Sequence, residues 1–247
     1  MIGGFCGRFV TGAVADLLGW RASFAAVALL TLAGALIVTI ALPRERRFVR
    51  SGGFLASAGQ MLAHLRNPRL LAIYAVGFGV LFNFIATFTY VSFHLAGPPY
   101  FFSSTLLGAI FVTYLGGSFV VPWVGRAILL FGRRRFVLGI IAIWIAGAFM
   151  LLAPPVSVII LGLTLCATCG MVCQAVSTGY VITTAKEGRS SAAGLYASSF
   201  YIGGSAGAFL IGFVWNATGW SGCVAAIVAT QAIMAAIVAL AWEGSRG

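Results

Sequence analysis

The strongest constraint on this chain is an internal repeat whose two copies begin at Gly3 and Gly203, with an offset of 200 residues and no gap. Ten of the first 24 positions are identical in the two copies. Each copy has an apolar run, a Gly-Trp pair that begins at Gly19 or Gly219, and a second apolar run. The pattern predicts that each copy is an apolar helix, a turn and a second apolar helix.

The composition indicates an integral membrane protein in contact with the lipid bilayer. Sixty-one per cent of the 247 residues are hydrophobic and 8 % are charged, whereas soluble domains carry roughly 25 % charged residues. The apolar runs do not alternate in polarity as barrel strands do. The predicted fold class is all-α, a polytopic transmembrane bundle of about eight helices. Its spans are expected near 1–17, 22–42, 70–93, 104–124, 136–153, 155–184, 192–216 and 220–242.

The charges indicate how the chain is oriented. Fifteen Lys and Arg residues stand against four acidic residues, a net charge of +11. Thirteen of the basic residues fall in alternate loops or at the C-terminus, as the positive-inside rule requires. We therefore expect no nucleic-acid partner, a multi-pass membrane protein, and both termini in the cytoplasm. Between two spans, apolar residues at helical spacing predict a helix on the cytoplasmic surface: Phe54, Ala58, Met61, Leu62 and Leu65.

Two motifs and the long period resemble the major facilitator superfamily of secondary transporters. A period of this length in an apolar chain is typical of transporters built from repeated halves. The loop at 125–135 resembles the family's cytoplasmic signature, with Leu129 in place of its acidic residue. The Gly-rich start of the chain, with Arg8 in place of a proline, resembles the "antiporter" motif of bacterial drug and sugar efflux permeases, which implies a location in the bacterial inner membrane. The loop motif consists of Gly125, Arg126, Gly132, Arg133, Arg134 and Arg135.

The resemblance implies a domain organisation that lacks the first four of the family's twelve helices. Residues 1–42 correspond to the last two helices of the N-terminal half, and 43–69 to a cytoplasmic linker with the surface helix. Residues 70–242 correspond to the C-terminal six-helix half, and 243–247 to a cytoplasmic tail. The missing helices are a candidate partner on a separate chain.

The implied function is secondary active transport, namely efflux of small amphipathic molecules such as drugs or sugars by proton antiport. The last six predicted spans contain no Asp or Glu, so a proton-binding carboxylate is expected on the missing helices. The alternative is a truncated or split transporter fragment without transport activity of its own. A substrate-gated channel is not supported, because repeated halves favour alternating access.

Arg8 is the leading site candidate, because a guanidinium inside a membrane helix costs roughly 2.5 to 3.5 kcal/mol and needs a partner. Its repeat mate is Ala208, so the fold itself does not demand the charge. The partner is expected on the missing helices or as an anionic group of the substrate, and the alternative is an arginine that snorkels to the interface. The other candidates are polar or aromatic residues on spans that line the family's central cavity, a lining suited to amphipathic substrates. They are Asn83, Tyr90, Tyr114, Gln174, Tyr196 and Tyr201.

Glycines four residues apart are predicted to let helices approach closely. The pairs are Gly3 with Gly7 and Gly203 with Gly207. Smooth contacts of this kind also permit two halves to rock against each other.

An enzyme is the remaining rival class, and the sequence gives it little support. His64 and His94 have no acidic residue near them, and Lys186 has no phosphate-binding loop. Three cysteines at helical spacing, Cys166, Cys169 and Cys173, favour close helix packing over a soft-metal site. No cofactor and no metal are predicted.

Overall fold

The structure, a computed structural model, describes residues 2–41 and 53–242. Every regular element in these two ranges is helical, which confirms the predicted all-α class. The first four helices are α1 (Ile2–Leu18), α2 (Trp20–Ala41), α3 (Gly53–Leu65) and α4 (Pro68–Ala96). They are followed by α5 (Ser104–Ala109), α6 (Leu115–Val120), α7 (Val124–Phe131), α8 (Arg133–Met150), α9 (Val156–Thr184) and α10 (Arg189–Ala241).

Five segments of the described chain are long and apolar enough to cross a membrane. They are Trp20–Ala41, Pro68–Ala96, Ser104–Phe131, Val156–Thr184 and Arg189–Ala241. Helix α10 contains two of the predicted spans. They meet at Gly219, where the backbone is not helical. The predicted spans at 1–17 and 136–153 coincide with α1 and α8, of 17 and 18 residues. Most of the predicted linker, residues 43–52, and the tail 243–247 lie outside the described residues.

The span Ser104–Phe131 differs from the prediction in two ways. It is interrupted by 3₁₀ turns at Ile110–Tyr114 and Val121–Trp123, and Pro122 explains the second, since proline has no backbone N–H to donate. The region 125–135, predicted as a loop, is helical up to Phe131. Only Gly132 then separates α7 from α8, at a φ of 74° that favours glycine.

Both copies of the repeat reverse direction at the glycine before their tryptophan. Gly19 has a φ of 84° and Gly219 a φ of 69°, in the left-handed region where a side chain is disfavoured. The predicted helix–turn–helix unit is therefore confirmed in both copies, and each turn contains a glycine with a positive φ.

The connections sort to opposite ends of the bundle. At one end, Tyr100 Oη donates to the Pro154 carbonyl at 2.7 Å, and Trp220 Nε1 donates to the Leu151 carbonyl at 2.9 Å. At the other end, His64 Nε2 lies 3.2 Å from the Gly188 carbonyl oxygen. This second end carries the α3–α4 turn and the loop after α9, with their basic residues, and is called the basic end below.

Helices α4 and α10 meet backbone to backbone. A Cβ added at Gly203 would collide with the Phe78 carbonyl, and one at Gly207 with the Phe82 carbonyl. These contacts support the interpretation that the two glycines let α4 and α10 approach closely. Around Gly3 and Gly7, by contrast, no described atom lies within 4 Å of an added Cβ.

The repeat supplies matched variants for a stability test. We expect Gly203→Ala and Gly207→Ala each to lower the free energy of unfolding by about 1–3 kcal/mol, because the added methyl overpacks a rigid backbone contact. Gly3→Ala and Gly7→Ala should have much smaller effects in the isolated chain. The measurement is thermal unfolding in detergent, followed by tryptophan fluorescence. Equal losses in both copies would contradict the proposed contact.

Candidate functional site

Arg8 lies on α1 beside an aromatic ring of the interrupted span. Its guanidinium carbon is 4.2 Å from the centroid of the Phe111 ring, a distance typical of a cation–π contact. Both residues line a cavity of about 390 Å³ between the α1–α2 pair and α5. An aromatic face within the chain therefore contacts the cation that sequence reasoning left in need of a partner.

The ring under Arg8 belongs to a continuous aromatic cluster. The ring centroids of Phe111 and Tyr114 are 5.1 Å apart, and those of Phe111 and Phe88 are 5.5 Å apart. Phe84 joins the cluster at 5.0 Å from Tyr114. Two of the predicted site residues, Arg8 and Tyr114, are therefore brought together through Phe111, which the sequence analysis did not single out.

Local backbone features hold α1 close enough for this contact. A Cβ at Gly108 would lie 2.8 Å from the Arg8 carbonyl oxygen, so a larger residue there would push α1 away. The carboxylate of Asp16 accepts hydrogen bonds from the backbone N–H groups of Ser104 at 3.2 Å and Thr105 at 2.7 Å. Asp16 thus ties the end of α1 to the start of α5, where it complements the helix N-terminus.

Four other predicted residues lie apart from Arg8 in the contacts that the structure describes. Tyr90 Oη donates to the carbonyl of Ala208, the repeat mate of Arg8, at 2.6 Å. Tyr196 is buried and stacks on Phe200 with ring centroids 6.0 Å apart. Gln174 is exposed, and Tyr201 is 67 % exposed. The predicted site residues therefore do not form a single site.

The basic motif consists of helix-end residues around the turn at Gly132. The guanidinium carbon of Arg126 lies 4.9 Å from the Trp123 ring centroid, and that of Arg133 lies 4.1 Å from the Tyr180 ring centroid. Arg134 and Arg135 follow in the first turn of α8. Two of the four arginines thus contact aromatic faces.

Asn83 faces the second half of α10. Its Nδ2 donates to the Gly79 carbonyl at 2.7 Å and lies 3.4 Å from Met234 Sδ. Its Oδ1 is buried and accepts no hydrogen bond from the described residues.

Gln231 is a candidate that the sequence analysis missed. It is fully buried, and neither atom of its amide pairs with a described residue. A lone glutamine in the last apolar span was the available signal, because buried polar groups in a membrane helix seek partners.

The helix register places Gln231 level with Asn83. The rings of His94 and Trp220 stack at 5.2 Å, so α4 and the second half of α10 run antiparallel from this end. Met234 contacts α4 at Asn83. Gln231 lies one turn nearer to Trp220, on the same face as Met234. The two amides therefore face the same layer of the helix interface.

A double-mutant cycle tests whether the two amides interact through a buried water. We expect Asn83→Leu and Gln231→Leu each to destabilise the chain by about 1–3 kcal/mol, because each removes one of the two groups that such a water would join. The double variant should cost less than the sum by about 0.5 kcal/mol or more. Thermal unfolding measures the cycle, and Asn83→Leu with Gln174→Leu is the control pair. Additive effects in both pairs would refute the interaction.

The described residues include no group of three or more His, Cys, Asp or Glu placed to hold a metal ion. A cation over aromatic rings, beside an open cavity, can bind and orient an organic molecule.

The fold is that of a polytopic helical membrane protein, and comparisons with known proteins indicate its class. No family model matches the chain. It is 29 % identical to the uncharacterized MFS-type transporter YybF of Bacillus subtilis, over 92 % of the chain and 56 % of that protein. It is also 28 % identical to the inner membrane transport protein YnfM of Escherichia coli, over 96 % of the chain and 57 % of that protein. An uncharacterized transporter of Buchnera aphidicola from Schizaphis graminum is 28 % identical over 92 % of the chain.

The chain is a homologue of MFS-type transporters, as its motifs indicated. It spans a little over half the length of these relatives.

Proposed function

We propose that the chain forms part of a secondary transporter that exports small amphipathic molecules, such as drugs or sugars, in exchange for protons. The main support for this proposal is the contact between Arg8 and the aromatic cluster, at the wall of the 390 Å³ cavity. Aromatic faces suit the apolar part of such a substrate, and the cation suits an acidic or hydrogen-bonding group. The protein lies in the inner membrane with its basic end and both termini in the cytoplasm.

The Arg8 cavity lies at the junction of the two proposed halves. In this proposal residues 1–42 belong to one half and residues 70–242 to the other. They meet where α1 crosses α5 at Gly108, a contact between backbones. If the halves rock about such a smooth contact, the cavity opens and closes alternately, as alternating access requires.

The uncovered face at Gly3 and Gly7 supports a further helix in the working transporter. In the second copy of the repeat, the equivalent glycines pack against the backbone of α4. We therefore propose that a helix from outside the 247 residues packs on the first copy in the same way.

The same additional helices are the proposed source of the proton-binding carboxylate. In the described part of the chain the acidic residues are Asp16 and Glu187. Asp16 is engaged by α5, and Glu187 lies exposed in the loop after α9. Neither lies within the spans from α4 onward.

Dye efflux tests the role of Arg8. The chain is expressed with and without the coding sequence immediately upstream, in cells lacking their main exporters, and efflux of a fluorescent amphipathic dye is measured. We expect Arg8→Gln to reduce efflux at least tenfold, since both the charge and its contact with Phe111 are lost. Arg21→Gln is the matched control, because Arg21 stacks on the exposed Trp20. Normal efflux by Arg8→Gln would sink the proposal.

A fragment without transport of its own remains the second candidate, and the uncovered Gly3–Gly7 face favours it. If only the extended form exports dye, the 247 residues are such a fragment. Gly7→Ala should then impair the extended form while leaving the stability of the isolated chain unchanged. Efflux by the 247-residue chain alone would exclude this alternative.

A further inference from the structure

A basic cleft of about 640 Å³ lies between the α3–α4 turn and the end of α9. Arg66, Arg69, Lys186 and His64 line it, and none of its described lining residues is acidic. This concentration of cations at one end of a membrane bundle creates a local field that attracts anions.

Specific contacts join the elements that form the cleft. His64 lies 3.2 Å from the Gly188 carbonyl oxygen, and Ser191 Oγ is 3.4 Å from Gln60 Oε1, so α3 is fixed over the loop after α9. Asn67 caps α4 by accepting from the backbone N–H of Arg69 at 3.0 Å. The N-terminal end of this 29-residue helix adds partial positive charge to the cleft.

An apolar groove of about 700 Å³ begins beside the same turn. Leu65 and Leu71, which flank the turn, lie at its start, and it continues between α4 and α10 past Phe78 to Ile202. Leu71 is 42 % exposed within the described chain, so the groove is open at this end of the described helices. The cationic cleft and the apolar groove therefore lie next to each other at the basic end.

We propose that this pair of features binds one anionic phospholipid from the leaflet at the basic end. The phosphate lies among Arg66, Arg69 and Lys186, and an acyl chain lies in the groove between α4 and α10. A soluble anion would use only the cleft, and a neutral lipid only the groove. A phospholipid with an anionic headgroup matches both. This inference does not depend on the transport proposal.

The bound lipid has a structural consequence. Because the cleft is built from α3, α4 and the end of α9, a phosphate there would contact all three elements through charge-assisted hydrogen bonds. Lipid binding therefore stabilises the docking of α3 on the bundle and the junction between the linker and the spans that follow.

Lipid titration of the purified 247-residue chain in detergent tests the site. Native mass spectrometry measures binding of phosphatidylglycerol and phosphatidylcholine, and tryptophan fluorescence measures the melting temperature. The test variant is Arg66→Gln/Arg69→Gln/Lys186→Gln. The matched control, Arg126→Gln/Arg134→Gln/Arg135→Gln, removes the same charge around Gly132.

We expect the test variant to bind phosphatidylglycerol at least tenfold more weakly, with the control within about threefold of the unmodified chain. Arg66→Lys/Arg69→Lys/Lys186→Arg keeps the charge and should retain binding, which separates loss of the site from loss of folding. Equal weakening in the test and control variants would mean diffuse electrostatic attraction and would overturn the proposal.

Two further arms distinguish the ligand sources. Inorganic phosphate at the same concentration should neither raise the melting temperature nor displace the lipid. Dihexanoyl-phosphatidylglycerol should bind more weakly than the long-chain lipid, because its acyl chains fill less of the groove. Competition by phosphate, or equal affinity for the short-chain lipid, would assign the cleft to a soluble anion instead.

Discussion

The contact between the backbones of α4 and α10 is the constraint on which the rest of the structure depends. In a bilayer, helices associate through close packing and polar contacts rather than through the hydrophobic effect. Glycine at 203 and 207 brings the α10 backbone against the carbonyls of Phe78 and Phe82. With α4 held in this way, successive residues point to different faces of the helix. Asn83 faces the second half of α10, and Phe84 faces the aromatic cluster.

The two copies of the repeat keep one backbone and differ in chemistry. Both turn at a left-handed glycine. Trp220 is buried and donates to the Leu151 carbonyl, whereas Trp20 is exposed beside Arg21. The position of Arg8 in one copy is Ala208 in the other, where only the carbonyl is used, by Tyr90. Chemistry specific to this protein is therefore expected where the copies diverge.

The charged groups of the structure occupy distinct environments along the bundle. Arg8 lies within a helix and is compensated by the face of an aromatic ring, which accommodates a cation without a buried carboxylate. The cations at the basic end line an open cleft, where we propose that a lipid phosphate compensates them. In our proposals, the environment of Arg8 binds a substrate that crosses the membrane, and the cleft at the basic end binds a lipid that remains in it.

The agreement between sequence and structure is uneven, and the reason is physical. Helix type, the repeat and its turns were predictable, because apolar length, glycine and proline act locally on the backbone. The site was predictable only in part, since Arg8 and Tyr114 came together while Gln174 and Tyr201 stayed exposed. Phe111 carries no sequence signal that separates it from the other nineteen phenylalanines.

The sequence by itself determined a helical membrane bundle with a duplicated unit, because hydrophobic length and turn chemistry are properties of contiguous residues. Only the tertiary structure decided that Phe111 stacks under Arg8 and that Gln231 lies level with Asn83. It also decided that Arg66, Arg69 and Lys186 line one cleft. These pairings depend on how helices distant in sequence approach, and that approach is set by packing at a few glycines rather than by local propensity.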